Sequence, residues 1–347
     1  MERMRGMGWK AAMAAAGTAL ALAAAPVLAQ KTELLVYTAL ETDQIKAYEE
    51  AFKKANPDID VKWVRDSTGV ITAKLLAEKA NPQADLVVGT SASSLAVFAN
   101  EGMLLPYAPK GLDKISAQYR DPKNPPDWVG MDVYGAAICF NTVEAAKLNL
   151  PKPETWQDLA KPVYKGRIVM PNPASSGTGY LDVAGWIQMW GDQKAWTYMD
   201  ALHANIAQYT HSGSKPCRQA GAGEFPIGVS FEYRAVTTKK SGAPIDIIFP
   251  TEGLGWDLEA SGIMKGTKKL AAAQAMMDWL ATPGAMELYA KNFAVLAMPG
   301  MAKPLDYVPA DYEKRLIKND FAWEATNRDK ILQEWTKRYN GKSLPKS

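Results

Sequence analysis

Hydrophobic positions along the chain form two patterns. Short continuous runs are typical of buried strands, and a helical repeat is typical of amphipathic helices. Residues 33–38 (ELLVYT) and 85–89 (DLVVG) are short, nearly continuous apolar runs, as expected for parallel strands buried on both faces. Between them, residues 43–55 place apolar side chains at helical spacing, and Asn56-Pro57 ends that pattern. This order of strand and helix predicts an α/β unit with a mainly parallel sheet.

The same alternation continues in two sets, separated by a proline-rich connector at residues 121–127 (DPKNPPD). The predicted strands are residues 33–38, 59–64, 85–89, 134–141, 167–170, 206–209, 227–231, 245–249 and 259–264. The predicted helices are residues 43–55, residues 67–79, a segment that begins at Ser91, residues 179–190 and most of the chain after Lys268. A chain of 347 residues is too long for one ordinary core, so we predict two α/β lobes. The lobes are predicted to span residues 30–135 with 253–305 and residues 136–252 with 306–347.

The N-terminus has the three parts of a secretory signal peptide. Basic residues at positions 3, 5 and 10 precede an apolar run over residues 11–25, and small residues follow up to Ala29. We therefore predict a signal peptide over residues 1–29, cleaved after Ala29, and a periplasmic protein. The alternative is an uncleaved membrane anchor, which needs roughly 20 apolar residues and is disfavoured by the shorter run.

Charge and cysteine content narrow the choice of partners. The formal net charge is +3, and residues 1–29 hold three of the bases and one acid, which leaves +1 for the remainder. This near-neutral chain has no basic block of the kind that nucleic acid requires, so no nucleic-acid partner is expected. Cys139 and Cys217 are the only cysteines. In an oxidising compartment they form either a disulfide or two separately buried thiols, and the sequence leaves both open.

Motifs of catalysis are scarce in this sequence. His203 and His211 are the only histidines, and the chain has no HExxH, CxxC, G-x-S-x-G or Walker motif. We therefore expect a binding protein without a metal or cofactor, and an exported enzyme remains the alternative.

Loops rich in hydroxyl groups stand directly before several predicted helices. A helix start presents unsatisfied N–H groups and a partial positive charge, so it suits an oxyanion. Each loop by itself is equally explained as a helix cap, but several at the edges of two lobes favour a bound anion. The candidate anion-binding residues are Thr38, Ser67, Thr68, Ser91, Ser176, Gly177 and Thr178. A further loop of this kind is Ser212-Gly213-Ser214.

A second group of candidates combines carboxylates with aromatic rings. A carboxylate beside an aromatic face can hold a primary ammonium group by ion pairing and cation–π attraction. The candidates are Glu41, Glu232, Tyr233, Trp256 and Asp257. Core packing is the alternative for Trp256, and a surface ion pair with Arg234 is the alternative for Glu232. Together with the hydroxyl loops, this group predicts a small zwitterionic ligand.

Six segments of the sequence resemble one known family of transport receptors. They are residues 34–52 (LLVYTALETDQIKAYEEAF), 63–87 (WVRDSTGVITAKLLAEKANPQADLV), 136–142 (AAICFNT), 168–183 (IVMPNPASSGTGYLDV), 211–235 (HSGSKPCRQAGAGEFPIGVSFEYRA) and 243–260 (APIDIIFPTEGLGWDLEA). Together they resemble the substrate-binding proteins of 2-aminoethylphosphonate ABC transporters. These lie within a wider group of periplasmic receptors that includes binders of ferric iron, thiamine and polyamines.

The resemblance implies a fold, a ligand and a partner. The fold would be that of type II periplasmic binding proteins, with two Rossmann-like lobes joined by a two-strand hinge. The ligand would be a small zwitterionic phosphonate, held as a monomeric receptor closes and delivered to the membrane permease of an ABC importer. A ferric-iron, polyamine or phosphate-ester receptor of the same fold is the alternative. Ferric iron is disfavoured because Tyr233 lies between Glu232 and Arg234, which leaves no adjacent tyrosine pair.

Overall fold

A computed structural model describes residues 31–345 of the chain, and the predicted signal peptide lies outside these residues. The strands in this range are β1 Thr32–Thr38, β2 Ile59–Arg65, β3 Leu86–Ser91, β4 Leu104–Leu105, β5 Val129–Asn141, β6 Ile168–Pro171, β7 Ile206–Thr210, β8 Ile227–Phe231, β9 Ile245–Ile248 and β10 Trp256–Met264. The helices are α1 Thr42–Ala55, α2 Thr68–Ala77, α3 Ala92–Asn100, α4 Thr142–Lys147, α5 Gly177–Trp190, α6 Asp192–Asn205, α7 Lys215–Gly221, α8 Glu232–Lys240, α9 Leu270–Leu280, α10 Pro283–Tyr289, α11 Tyr312–Arg315 and α12 Phe321–Tyr339. Five short 3₁₀ turns complete the connections within the described range.

The strands form two α/β lobes, as the sequence predicts. In the first lobe, β1 pairs in parallel with β2 and β3, and β10 runs antiparallel to β3 and β4. In the second lobe, β6 pairs in parallel with β7 and β8. Helices α1, α9 and α10 pack on the first sheet, while α5, α7 and α8 pack on the second.

Strand β5 joins the two lobes because its two halves pair with different neighbours. Residues 129–135 of β5 lie antiparallel to β10 of the first lobe. Residues 136–141 lie antiparallel to β8 and β9 of the second lobe. All thirteen residues of β5 are buried, so the strand forms the floor between the lobes.

The predicted strands agree closely with the structure, and the largest difference among them is where β5 begins. The predicted helix ranges do not include α4, α6, α7 and α8 of the second lobe. Residues 290–311, which belong to the region predicted as mostly helical, form no α-helix. The sequence predicts β5 from Tyr134, whereas the structure starts it at Val129. The acid Asp132 interrupts the apolar pattern, although the residue itself is fully buried. The sequence predicts the last strand over residues 259–264, and the structure starts this strand, β10, three residues earlier, at Trp256. No helix in the described part of the chain is both long and apolar enough to cross a membrane.

A disulfide ties the floor strand to a helix of the second lobe. Cys139 in β5 is bonded to Cys217 in α7, and their Cα atoms lie 5.3 Å apart. Both side chains are fully buried, and the two cysteines are 78 positions apart in sequence. The bond closes a long loop, so it restricts the unfolded chain more than the folded one.

Replacing both cysteines by alanine is expected to lower the free energy of unfolding by about 2–5 kcal/mol. Denaturant titration of the purified protein measures this change. Wild-type protein kept under reducing conditions is the matched control, and it should lose the same amount. A loss below about 1 kcal/mol would contradict a stabilising role for the disulfide.

Candidate functional site

A cavity lies between the two lobes, above the middle of β5. It encloses about 500 Å³ of empty space, including the part that is open to solvent. Its walls are formed by Ala39, Glu41, Arg65, Ser67, Thr68, Gly89, Thr90, Ser91, Tyr134, Ser176, Gly177, Thr178, Ser212, Gly213, Ser214, Phe231 and Glu259.

Five helices of nine residues or more begin at the wall of this cavity. The residues that directly precede them and line the cavity are Glu41 before α1, Ser67 before α2, Ser91 before α3, Ser176 before α5 and Phe231 before α8. Each helix start carries a partial positive charge, because its first N–H groups have no partner within the helix. Helix starts from both lobes therefore make the cavity attractive to an anion.

Hydroxyl groups of the two lobes meet at close range inside the cavity. Gly177 allows this approach, because a Cβ atom at its position would lie 2.7 Å from Thr68 Oγ1 and 2.8 Å from Ser91 Oγ. The Ser91 hydroxyl is hydrogen-bonded to the hydroxyl of Tyr134. Ser176 Oγ accepts a hydrogen bond from the backbone N–H of Gly179 at 3.3 Å, so its own proton is free for a ligand.

Arg65 adds a fixed positive charge to the same wall. It is the last residue of β2, and its Nε donates to the carbonyl oxygen of Leu40 at 3.0 Å. Its Nη2 lies 3.4 Å from Glu41 Oε1. The guanidinium is one-third exposed, so it can reach a charged group in the cavity.

Glu259 is the acid of the cavity wall that has no cationic partner within residues 31–345. It lies in β10, and Gln44 Nε2 donates to its two carboxylate oxygens at 3.1 and 3.2 Å. Asp132 of β5 is its direct neighbour across the strand pair. Burial is the main cause that raises the pKa of Glu259, to about 8, and the charges of Glu232 and Glu41 raise it further. Burial also raises the pKa of Asp132 well above its usual range, with Glu259 as the next cause.

Glu41 lines the cavity, as the sequence predicts, but its carboxylate is already paired. Ser214 Oγ donates to Oε1 at 2.5 Å. Arg234 Nη2 and Arg218 Nη2 lie 2.8 and 3.3 Å from Oε2. With Arg65, three guanidinium groups surround this one carboxylate, so it offers little attraction to an ammonium group.

The structure brings together most of the predicted anion-binding residues. Those at the cavity wall are Ser67, Thr68, Ser91, Ser176, Gly177 and Thr178. Thr38 is fully buried below the wall, and its Oγ1 accepts a hydrogen bond from the backbone N–H of Leu40 at 3.1 Å. It lies at the end of β1, as predicted, but its hydroxyl contacts the backbone two residues further on and does not line the cavity.

Four of the predicted ammonium-binding residues lie away from the cavity wall. Glu232 accepts from the N–H of Gly135 at 2.8 Å, and the Tyr233 hydroxyl donates to Asp43 at 2.7 Å. Trp256 Nε1 donates to the carbonyl oxygen of Ile317, and Asp257 accepts from the hydroxyl and N–H of Ser93. All four follow or begin strands, and that position does not tell which way a side chain points.

Seven residues at the wall were not among the sequence candidates, and Arg65, Tyr134 and Glu259 are the ones with a charged or phenolic side chain. Arg65 stands two positions before Ser67, in the loop that the sequence does indicate. Glu259 is one of two buried acids in β10, and a charge buried in a strand is itself a signal of function. In the described residues, no group of three or more His, Cys, Asp and Glu side chains is arranged to hold a metal ion.

Replacing Gly177 by alanine is expected to abolish tight ligand binding without unfolding the protein. The new methyl group would lie against Thr68 and Ser91 of the opposite lobe, so the lobes could not approach. Alanine suits the first turn of a helix, so we expect an unchanged or slightly higher melting temperature. Calorimetry and thermal unfolding measure the two effects.

Gly284→Ala is the matched control for this prediction. Gly284 also lies in the first turn of a helix, α10, and its Cβ would meet its nearest neighbour at 3.9 Å. That variant should bind as wild type does. Unchanged affinity in Gly177→Ala would show that the approach of the lobes at this point is not needed.

Comparisons with known proteins cover both lobes and the cavity. A family model for bacterial extracellular solute-binding proteins matches residues 81–325. An uncharacterized protein of Haemophilus influenzae is 33% identical over 334 residues, which span 94% of this chain and 93% of that protein. A probable ABC transporter periplasmic-binding protein of Sinorhizobium fredii is 27% identical over 91% of this chain and 88% of its own length. The structure of the periplasmic binding protein AfuA from Actinobacillus pleuropneumoniae, with exogenous fructose-6-phosphate bound, superposes with a TM-score of 0.83 and 29% identity, over 89% of this chain and 99% of AfuA.

Proposed function

This chain belongs to the family of bacterial extracellular solute-binding proteins, and on that premise we propose that it captures 2-aminoethylphosphonate outside the cytoplasmic membrane. The receptor would then deliver this ligand to the membrane permease of an ABC importer. Its two lobes have the type II fold of periplasmic binding proteins. The observation that carries the choice of ligand is the mixed polarity of the cleft. Hydroxyl groups and helix starts line it together with Glu259, an acid that has no cationic partner within residues 31–345.

The anionic end of the ligand is supported by the converging helix starts. A phosphonate has three oxygens that accept hydrogen bonds from O–H and N–H donors. Hydroxyl donors come from both lobes, and they are Ser67, Thr68, Ser91, Ser176 and Thr178. Arg65 contributes a full positive charge beside them. Because the donors belong to both lobes, binding of one phosphonate would hold the lobes together.

The cationic end of the ligand is supported by Glu259 rather than by the four displaced candidates. A primary ammonium group would replace the missing cationic partner of this buried acid. Tyr134 and Phe231 also line the cavity, with ring centroids 6.0 Å apart. Their faces can add cation–π attraction. A cleft with donors for an anion and an acid for a cation suits a short zwitterion.

A phosphate ester of a sugar is the second candidate. The structure of AfuA, which contains fructose-6-phosphate, supports it, and so do the many hydroxyl groups of the cleft. Such a ligand has no ammonium group, so it would leave Glu259 without a cation. Glu259 therefore favours the aminophosphonate over the sugar phosphate.

Ferric iron and polyamines fit the cleft less well. Fe(III) prefers several anionic oxygen ligands, and Tyr134 is the one tyrosine among the residues of the cavity wall. A polyamine needs a carboxylate at each end. Of the two acids at the wall, Glu41 is already surrounded by three arginines.

Calorimetric titration of the mature protein with a matched ligand set tests the proposal. The set is 2-aminoethylphosphonate, 2-hydroxyethylphosphonate, inorganic phosphate, fructose 6-phosphate, putrescine and Fe(III). We expect the aminophosphonate to bind most tightly and to raise the melting temperature as its concentration exceeds Kd. Tighter binding of fructose 6-phosphate would replace the first candidate by the second. Binding of putrescine or Fe(III) alone would overturn both.

A further inference from the structure

Several hydrogen bonds and ion pairs cross the cleft directly from one lobe to the other. The Tyr233 hydroxyl donates to Asp43 Oδ2 at 2.7 Å, and Gly69 N–H donates to the carbonyl oxygen of Ser175 at 3.0 Å. His211 Nε2 lies 3.2 Å from Asp66 Oδ1. These contacts lie around the rim of the cavity, and Glu41 forms the densest group of them.

Glu41 links the start of α1 in the first lobe to two helices of the second. Oε1 accepts from Ser214, the residue before α7, and Oε2 accepts from Arg234 in α8 at 2.8 Å. Arg218 in α7 approaches Oε2 to 3.3 Å. The side chains of Glu41 and Arg234 are only 11% and 7% exposed. Water therefore screens this ion pair little.

Glu41 is also connected to the acid that we assign to the ammonium group. The N–H of Glu41 donates to Gln44 Oε1 at 2.7 Å, and Gln44 Nε2 donates to both carboxylate oxygens of Glu259. One amide side chain thus holds Glu41 and Glu259 in a fixed relation. A cation bound at Glu259 would therefore contact the same hydrogen-bonded group, Glu41, Gln44 and Glu259, that also joins the lobes.

We infer that Glu41 is a positioning residue that clasps the two lobes together and sets the affinity for every ligand of the cleft alike. An ammonium ligand is not its partner, because both of its oxygens are occupied and three guanidinium groups surround it. Ligands bind between the lobes, so their apparent affinity depends on the fraction of molecules in which the lobes are together. A smaller closed fraction gives a weaker apparent affinity. Loss of the clasp would lower that closed fraction without changing which ligand is preferred. The inference rests on the proposed function only for the choice of probe.

Glu41→Gln tests the clasp, since it removes the negative charge but keeps the size of the side chain. We expect the affinities for 2-aminoethylphosphonate and for 2-hydroxyethylphosphonate both to fall, roughly 5- to 150-fold, with a much smaller change in their ratio than Glu259→Gln causes. Stopped-flow tryptophan fluorescence should show that the loss lies mainly in faster dissociation. A loss confined to the amine would make Glu41 an ammonium ligand and overturn the clasp, as would unchanged affinity for both.

A second variant and a distance measurement keep the test independent of folding and of ligand identity. Tyr233→Phe removes only the hydroxyl that donates to Asp43, and it should cause a smaller loss of affinity that is again similar for both ligands.

Spin labels on exposed Lys54 and Ser241, each replaced by cysteine, report the distance between the lobes in the free protein. We expect a larger share of separated lobes in Glu41→Gln than in wild type, and an identical distribution would overturn the clasp. If 2-aminoethylphosphonate does not bind to wild type, the proposed ligand fails, while the distance measurement still decides the clasp.

Discussion

Replacing Ser176 and Thr178 together by alanine is expected to weaken binding of 2-aminoethylphosphonate by about 3–6 kcal/mol. Each hydroxyl would donate a hydrogen bond to a charged phosphonate oxygen, and one such bond contributes about 1.5–3 kcal/mol. Both side chains are buried at the wall of the cavity, with 2% and 5% of their surface exposed. Water cannot easily replace the lost donors there. Calorimetry at fixed pH and ionic strength measures the change.

Thr282→Ala is the matched control, because Thr282 Oγ1 caps α10 just as Ser176 Oγ caps α5. Loss of either cap costs about 0.5–2 kcal/mol of stability. The control should therefore show a similar fall in melting temperature but unchanged ligand affinity. Unchanged affinity in the double variant would remove Ser176 and Thr178 from the binding site.

The second large effect is expected from Glu259→Gln. The variant keeps the shape of the side chain but cannot neutralise an ammonium group. Leaving a buried charge without its partner costs about 2–5 kcal/mol, so the affinity for 2-aminoethylphosphonate should fall at least 30-fold, an order-of-magnitude figure. The affinity for 2-hydroxyethylphosphonate should stay within about threefold, because that ligand carries no cation. An equal loss for the two ligands would contradict the assignment.

Glu259 also predicts a pH dependence that the same variant should remove. The pKa of Glu259 is raised to about 8, so the free protein mostly holds this proton at pH 6–7. An ammonium group favours the charged carboxylate, so binding would release the proton. Affinity for the amine should then increase as pH rises towards 8, by at most tenfold per pH unit.

Calorimetry in buffers of different ionisation enthalpy counts the protons released. The hydroxyl analogue has the same phosphonate group, so the difference between the two ligands isolates the proton of Glu259. Wild type should show this difference, and Glu259→Gln should not. A difference that persists in the variant would assign the proton to another group, such as Asp132, whose pKa is also raised by burial.

Most strands and the helices of the first lobe could be predicted, because local patterns determine these elements. Apolar runs such as residues 33–38 and 85–89 are buried strands, and Asn56-Pro57 stands directly after the end of α1. The start of β5 was misplaced because Asp132 looks like a surface residue in the sequence. Only the pairing with β10 shows that it is buried.

The site was predictable where side-chain chemistry depends on position in an element. Ser67, Ser91 and Ser176 directly precede helices, and a residue at that place reaches the sheet edge whatever the details of packing. The ammonium end was not predictable in this way. Asp257 and Glu259 lie two positions apart in the same strand, yet one binds Ser93 and the other lines the cavity. Their difference depends on neighbouring strands and helices that are distant in sequence.

Because several helix starts converge on the cavity, the backbone can bind the anionic group of a ligand while side chains bind the rest of it. Backbone N–H groups and helix dipoles belong to the fold itself, so substitution of individual side chains leaves the preference for an anionic group largely intact. On the proposed assignment, a few side chains on β5 and β10, chiefly Tyr134 and Glu259, would bind the organic part of the ligand. Relatives that share this cleft could therefore acquire new anionic nutrients by changing these few positions. The ligands of such relatives would then differ in their organic part, while the fold of the receptor stays the same.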